Sequence, residues 1–181
     1  MRQLILLLLI LLLSSSPALC YVTEIGIAEV AKIENDRGEF RLLVKLEDIE
    51  IPRYARIDFA TLVLPRTRTK TIIPIEVRPI TRPWSKATVS WYAPWERQGG
   101  DFDETCVTKW TIHPGAGGPG HFLDITDLVR EQVRGGEAYG FVIKPYDAAR
   151  VERSSGFPAP VDGSFAGLRD LKVRVLWSEA R

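Results

Sequence analysis

Trp84-Ser85-Lys86-Ala87-Thr88-Val89-Ser90-Trp91 places two indoles around a short run of small and β-branched residues, with Pro83 before it and Pro94 after. A strand-like segment, residues 72–78, precedes it, and a polar loop, residues 99–104, follows. The local reading is a chain that leaves one strand, crosses an end of a β-sandwich and enters another strand over residues 88–92. The two indoles then plug that end, because aromatic side chains bury large areas and seldom stand exposed in pairs.

Period-2 alternation recurs along the chain on both sides of this stretch. Residues 22–33 read as one strand with Ile25, Ile27, Ala31 and Ile33 on one face. Asn35-Asp36-Arg37-Gly38 is a turn signal. Residues 40–46 follow with Phe40, Leu42, Val44 and Leu46 inward and Arg41 and Lys45 outward. Residues 56–64 and 71–79 read as two further strands joined by a basic loop, suggesting a hairpin. Pro74 marks the second as an edge or bulged strand. Residues 107–113, 122–125, 139–144 and 171–177 complete the set. Thr126 is a good helix N-cap with Asp127 in the first turn, and Gly135-Gly136 stops the only helix expected. Short strands, long loops and one short helix predict an all-β fold, an antiparallel jelly-roll β-sandwich.

The chain has 181 residues, 45% hydrophobic and 26% charged, which suits a single domain. Met1-Arg2-Gln3, an apolar run over residues 4–13 and a small-residue exit at Ala18 or Cys20 predict a secretory signal peptide over residues 1–20, followed by one domain over 21–181. The apolar run is short for a membrane span, which needs roughly 20 residues. A secreted or cell-surface location follows, with no membrane insertion after signal removal. Without Arg2 the chain carries 23 basic and 23 acidic residues, so its global charge offers nothing to nucleic acid. One Asn and three Gln beside many charged residues give a composition of thermophile type. Cys20 and Cys106 are the only cysteines; cleavage after Cys20 leaves Cys106 alone, a structural thiol rather than a nucleophile.

Residues 41–46 with Ile51-Pro52, then 57–64, 84–91, 123–126 with Val129, 140–144 and 171–177, taken in that order, together resemble the DNRLRE-type β-sandwich domain, related to carbohydrate-binding module family 96. Arg41-Leu42-Leu43-Val44-Lys45-Leu46 with Ile51-Pro52 resembles that family's early strand and loop. Ile57-Asp58-Phe59-Ala60-Thr61-Leu62-Val63-Leu64 resembles its next strand. The Trp84–Trp91 octapeptide resembles a W-x-e-x-T-V-T-W signature. Leu123-Asp124-Ile125-Thr126 with Val129, Gly140-Phe141-Val142-Ile143-Lys144, and the closing strand follow in the same order. Tyr92-Ala93 replaces a common Asn, and Asp170 a common Pro. The resemblance implies a secreted, non-catalytic domain of the kind appended to polysaccharide-active or cell-surface proteins.

Candidate chemistry is sparse. Sugar recognition uses aromatic platforms, and Tyr92, Trp95 and Trp110 are the candidates; Trp84 and Trp91 belong to the structural signature. Arg66, Arg68 and Lys70 cluster on one loop and could grip an acidic polysaccharide, or keep a sheet edge solvated. Asp101, Asp103 and Glu104 lie close together on a Gly-rich loop, a spacing that suits Ca²⁺ but does not follow the EF-hand pattern; the bland reading is a solvated acidic loop. Asp124 is expected to bond backbone near the helix start. His113 and His121 flank a Gly-rich loop without metal-ligand spacing or a nucleophile motif. No cofactor is called for, Ca²⁺ excepted. The expectation is a non-enzymatic, secreted carbohydrate-binding module for a polysaccharide or surface glycan. The competing expectation is a structural or adhesive surface protein that self-associates or packs with envelope proteins.

Overall fold

The computed structural model describes residues 19–64, 73–105, 108–112, 121–136, 139–146 and 171–179. Its elements are β1 (Cys20–Ile25), β2 (Ile27–Glu34), β3 (Phe40–Leu46), β4 (Arg56–Leu64), β5 (Ile73–Pro79), β6 (Thr108–Ile112), β7 (His121–Asp124), α1 (Thr126–Val133), β8 (Phe141–Pro145) and β9 (Lys172–Ser178). Two antiparallel sheets form a sandwich. One has the order β1-β9-β4-β7, the other β2-β3-β8-β5-β6. Most successive strands pass from one sheet to the other, as in a jelly roll; β2–β3 and β5–β6 are successive pairs that stay within the five-stranded sheet.

The alternating apolar residues explain the core. Leu42, Val44 and Leu46 of β3, Ile75 and Val77 of β5, and Phe141 and Ile143 of β8 face Ala60, Leu62 and Leu64 of β4 and Val173 and Val175 of β9. Helix α1 closes this core with Val129 and Val133 and packs beside β4. Thr126 begins the helix rather than capping it: Ile125 holds the N-cap position and has no side-chain cap bond. The Thr126 hydroxyl instead accepts from the Ala60 N–H at 2.9 Å and bonds Asp124. Asp124 accepts from the Thr126 N–H at 2.9 Å, the backbone role expected of it.

Four further expectations from the sequence need correction. Residues 22–33 are two strands in different sheets, because the chain turns a corner at Gly26, whose carbonyl accepts from the Glu47 N–H. Ile25 therefore joins the main core, while Ala31 and Ile33 face the other side of their sheet. β4 and β5 do not form a hairpin; they belong to opposite sheets. β5 is interior, between β8 and β6; Pro74 lies at its start, and its carbonyl accepts from the Tyr146 N–H. Residues 88–92 form no strand.

The fourth correction extends to the indoles. Trp84 and Trp91, with Trp95, do not plug the sandwich end. They lie across the outer face of the five-stranded sheet, on Ala31, Ile33, Leu43 and Val142. Leu43 is thus fully buried on the side of β3 away from the main core. The centre of this sheet is thus covered on both faces, the outer one by a long loop in place of a third layer.

Candidate ligand-binding surface

The loop of residues 81–105 is held from within. Trp84 donates its indole N–H to the Tyr139 carbonyl at 2.7 Å, and Trp95 donates to the Ser90 carbonyl at 2.8 Å. Each indole buries its ring and satisfies its one polar atom. Beneath them Arg41 of β3, expected to point to solvent, sits with its guanidinium 4.7 Å from the Trp91 ring and 5.3 Å from Phe102, and donates to the Gly99 carbonyl. Burial lowers the Arg41 pKa. Below the loop, Glu76 of β5 is almost fully buried and pairs with Lys144 at 2.6 Å and Arg78 at 3.0 Å. Burial pushes the Glu76 carboxyl up, yet the hydrogen bonds from Arg78 and Lys144 outweigh it and hold the pKa below the usual carboxylate range.

The aromatic candidates are dispersed. Trp95 is only 8% exposed and is a core residue of the loop, contrary to its expected role as a binding platform. Tyr92 is 53% exposed and donates its hydroxyl to Asp36 at 3.1 Å, in the turn between β2 and β3; that hydrogen bond raises its pKa. Trp110 is 39% exposed on β6, opposite Ile75. Since β2 and β6 are the two edges of the five-stranded sheet, Tyr92 and Trp110 stand at opposite sides and share no platform. Arg66, Arg68 and Lys70 lie outside the described residues, as do Cys106 and His113.

The carboxylate candidates are brought together, but not as a cation cage. Asp101 accepts from the backbone N–H groups of Glu96 and Arg97, each at 2.9 Å, and from Arg82 Nε at 2.8 Å. Burial pushes its pKa up, but these three donors pull it down by more, leaving it below the ordinary value. Asp103 accepts from the Thr105 N–H and hydroxyl. Glu104 pairs with Arg78 at 2.9 Å and Arg97 at 3.9 Å. Arg82 also pairs with Glu96. Among the described residues no three His, Cys, Asp or Glu side chains are grouped to hold a metal ion. The Ca²⁺ expectation thus meets carboxylates already engaged by arginines and backbone donors.

What these residues do form is an open hollow of about 450 Å³, lined by Thr81, Arg82, Glu96, Arg97, Asp101 and Phe102, with Asp103, Glu104 and Thr105 along one side. Paired guanidinium and carboxylate groups present hydrogen-bond donors and acceptors side by side, fixed by a loop whose underside is packed indole. Sequence reading found the carboxylates and missed Arg82, Glu96 and Arg97. The available signal was their place in the same loop, with Arg82 just before Pro83 and Glu96-Arg97 just before Gly99-Gly100.

No protein-family model matches the chain, and no curated protein matches it either. Among the described residues no helix is long and apolar enough to cross a membrane.

Proposed function

We propose that this chain is a secreted, non-catalytic binding module that recognises a polysaccharide or cell-surface glycan. The observation that carries this reading is the hollow on the 81–105 loop. Sugar hydroxyls both donate and accept, so side-by-side Arg–carboxylate pairs suit vicinal hydroxyls. Arg97 and Glu96 are more than three-quarters exposed and reach solvent from a scaffold that three buried indoles hold in place. A pre-formed site loses less entropy on binding than a mobile one. The ordered motifs that resemble a carbohydrate-binding module family support the same reading. The test is a glycan-array screen and calorimetry of wild type, Arg97→Ala and Glu96→Ala. Binding by wild type that both variants weaken, with unchanged circular dichroism, is expected. No binding to any glycan sinks the proposal.

A second reading, a surface protein that self-associates, is favoured by one feature. Val22, Leu176 and Phe59 stand in register across β1, β9 and β4 on the outer face of the four-stranded sheet, all substantially exposed. β1 is also an edge strand of that sheet, open to a second copy. Sedimentation that depends on concentration, and that Val22→Lys abolishes, would favour this reading; a monomer at every concentration would exclude it.

A further inference from the structure

A second hollow, of about 440 Å³, lies between the loop that follows β3, the start of β4 and the last turn of α1. Among the described residues four arginines line it, Arg53, Arg56, Arg130 and Arg134, with Tyr54 and Val133 beside them and no acidic residue. They come from three separate elements, so their convergence is a product of the fold and invisible in the sequence.

The four guanidiniums are not equivalent. Arg130 is anchored: its Nε and Nη2 donate to the Ile57 carbonyl at 3.0 and 2.9 Å, and its Nη1 to Asp127 at 2.9 Å. Arg56 pairs with Asp58 at 2.8 Å and Arg134 with Glu131 at 3.3 Å, both through highly exposed arginines. Such pairs are weak and exchange readily with a competing anion. Arg53 has no hydrogen bond or ion pair among the described residues. It lies over Gly135, whose φ of +95° favours glycine and where a Cβ would stand 3.3 Å from Arg53 Nη1. Tyr54, two-thirds exposed, presents a ring and a hydroxyl at the rim.

We infer that this hollow is an oxyanion site that takes a sulfate or phosphate ester carried by the recognised glycan, with Arg53 as its principal ligand and Arg56 and Arg134 closing on it. A single guanidinium fork saturates one planar carboxylate. Forks that arrive from a loop, a strand and a helix suit a tetrahedral group, whose several oxygens point in different directions. The carboxylates paired with these arginines, Asp58, Asp127 and Glu131, leave Arg53 unmatched among the described residues, so the hollow keeps a positive excess. The identity of the polymer rests on the glycan reading above; the oxyanion site itself does not.

The test uses the full chain in two arms. In the first, NMR or calorimetric titration follows sodium sulfate and sodium phosphate, against sodium acetate and sodium chloride at matched ionic strength. Sulfate or phosphate is expected to bind more tightly than acetate or chloride. Arg53→Ala should weaken that binding roughly tenfold or more, the loss of one charge-assisted fork. Arg53→Lys should recover only part of it, since the charge returns without the fork. In the second arm, a sulfated polysaccharide, its desulfated form and a phosphate-bearing polymer are compared; preference for either ester over the desulfated chain supports the site and names its ester. Equal binding of all four anions, or an Arg53→Ala variant that melts earlier while binding anions as wild type does, would overturn the inference and leave Arg53 as a cation beside a helix C-terminus. Anion binding without any glycan binding would keep the site and remove the glycan reading.

Discussion

Replacing Trp91 with alanine tests whether the 81–105 loop is a packed layer or a drape. The ring is 6% exposed, lies on the outer-face cluster of the five-stranded sheet and covers the Arg41 guanidinium at 4.7 Å. A buried indole contributes roughly 200 Å² of mostly apolar area, which at about 25 cal/mol per Å² amounts to about 5 kcal/mol as an upper figure. Measured losses for such truncations run at about 3–5 kcal/mol. The expected cost of Trp91→Ala is therefore about 3–5 kcal/mol, read by urea denaturation with tryptophan fluorescence and far-UV circular dichroism in parallel. Tyr92→Ala, one residue along but half exposed, should stay within about 0.5 kcal/mol of wild type. A Trp91→Ala cost below about 1 kcal/mol would refute the packed-layer reasoning, because it would mean that the loop leaves the sheet without loss.

Three other outcomes are expected. Glu76→Ala leaves Lys144 charged and largely buried without its carboxylate and Arg78 with Glu104 alone, so a loss of about 3 kcal/mol is expected by chemical denaturation. Gly140→Ala should lose about 2–4 kcal/mol by the same method, because Gly140 has φ +88° and a Cβ there would stand 2.1 Å from the Val44 carbonyl oxygen, which is backbone and cannot step aside. Glu29, Glu76 and Asp101 all have carboxyl pKa values lowered by folding: Glu29 by the Lys86 N–H, Glu76 and Asp101 by donors that outweigh burial. Their contribution is fully present above the unfolded carboxylate range, about pH 4, and disappears as pH falls through the lower folded values; thermal melts from pH 7 to pH 2 should show a stability fall beginning near pH 4, shallower in Asp101→Asn.

The strands were legible where one face is apolar and the other polar. β9, and Leu42, Val44 and Leu46 of β3, follow their alternation because the apolar side has one destination, the interior between the sheets. The reading failed where a residue had two apolar destinations. Leu43 breaks the alternation of β3, and only the indole layer above it explains why that position is apolar. Ala31 and Ile33 lie under the same layer, so their pattern continued that of Ile25 and concealed the corner at Gly26. Trp95 was misjudged for the same reason: a Pro-flanked aromatic in a long loop looks exposed until the loop is seen to fold back onto a sheet. Asp101 was found as a carboxylate in a Gly-rich loop, but its partners, Arg82 and two backbone N–H groups, depend on loop conformation. The four-arginine hollow assembles residues over 80 positions apart, which no local pattern carries.

We propose that the ion-paired hollow on the indole-backed loop binds a glycan. A glycan-array screen of the purified chain, repeated with Arg97→Ala, tests it most directly. Binding to at least one polysaccharide is expected, and the Arg97 variant should lose it while its melting temperature holds. Identical glycan binding by wild type and Arg97→Ala, or no binding by either, would contradict it.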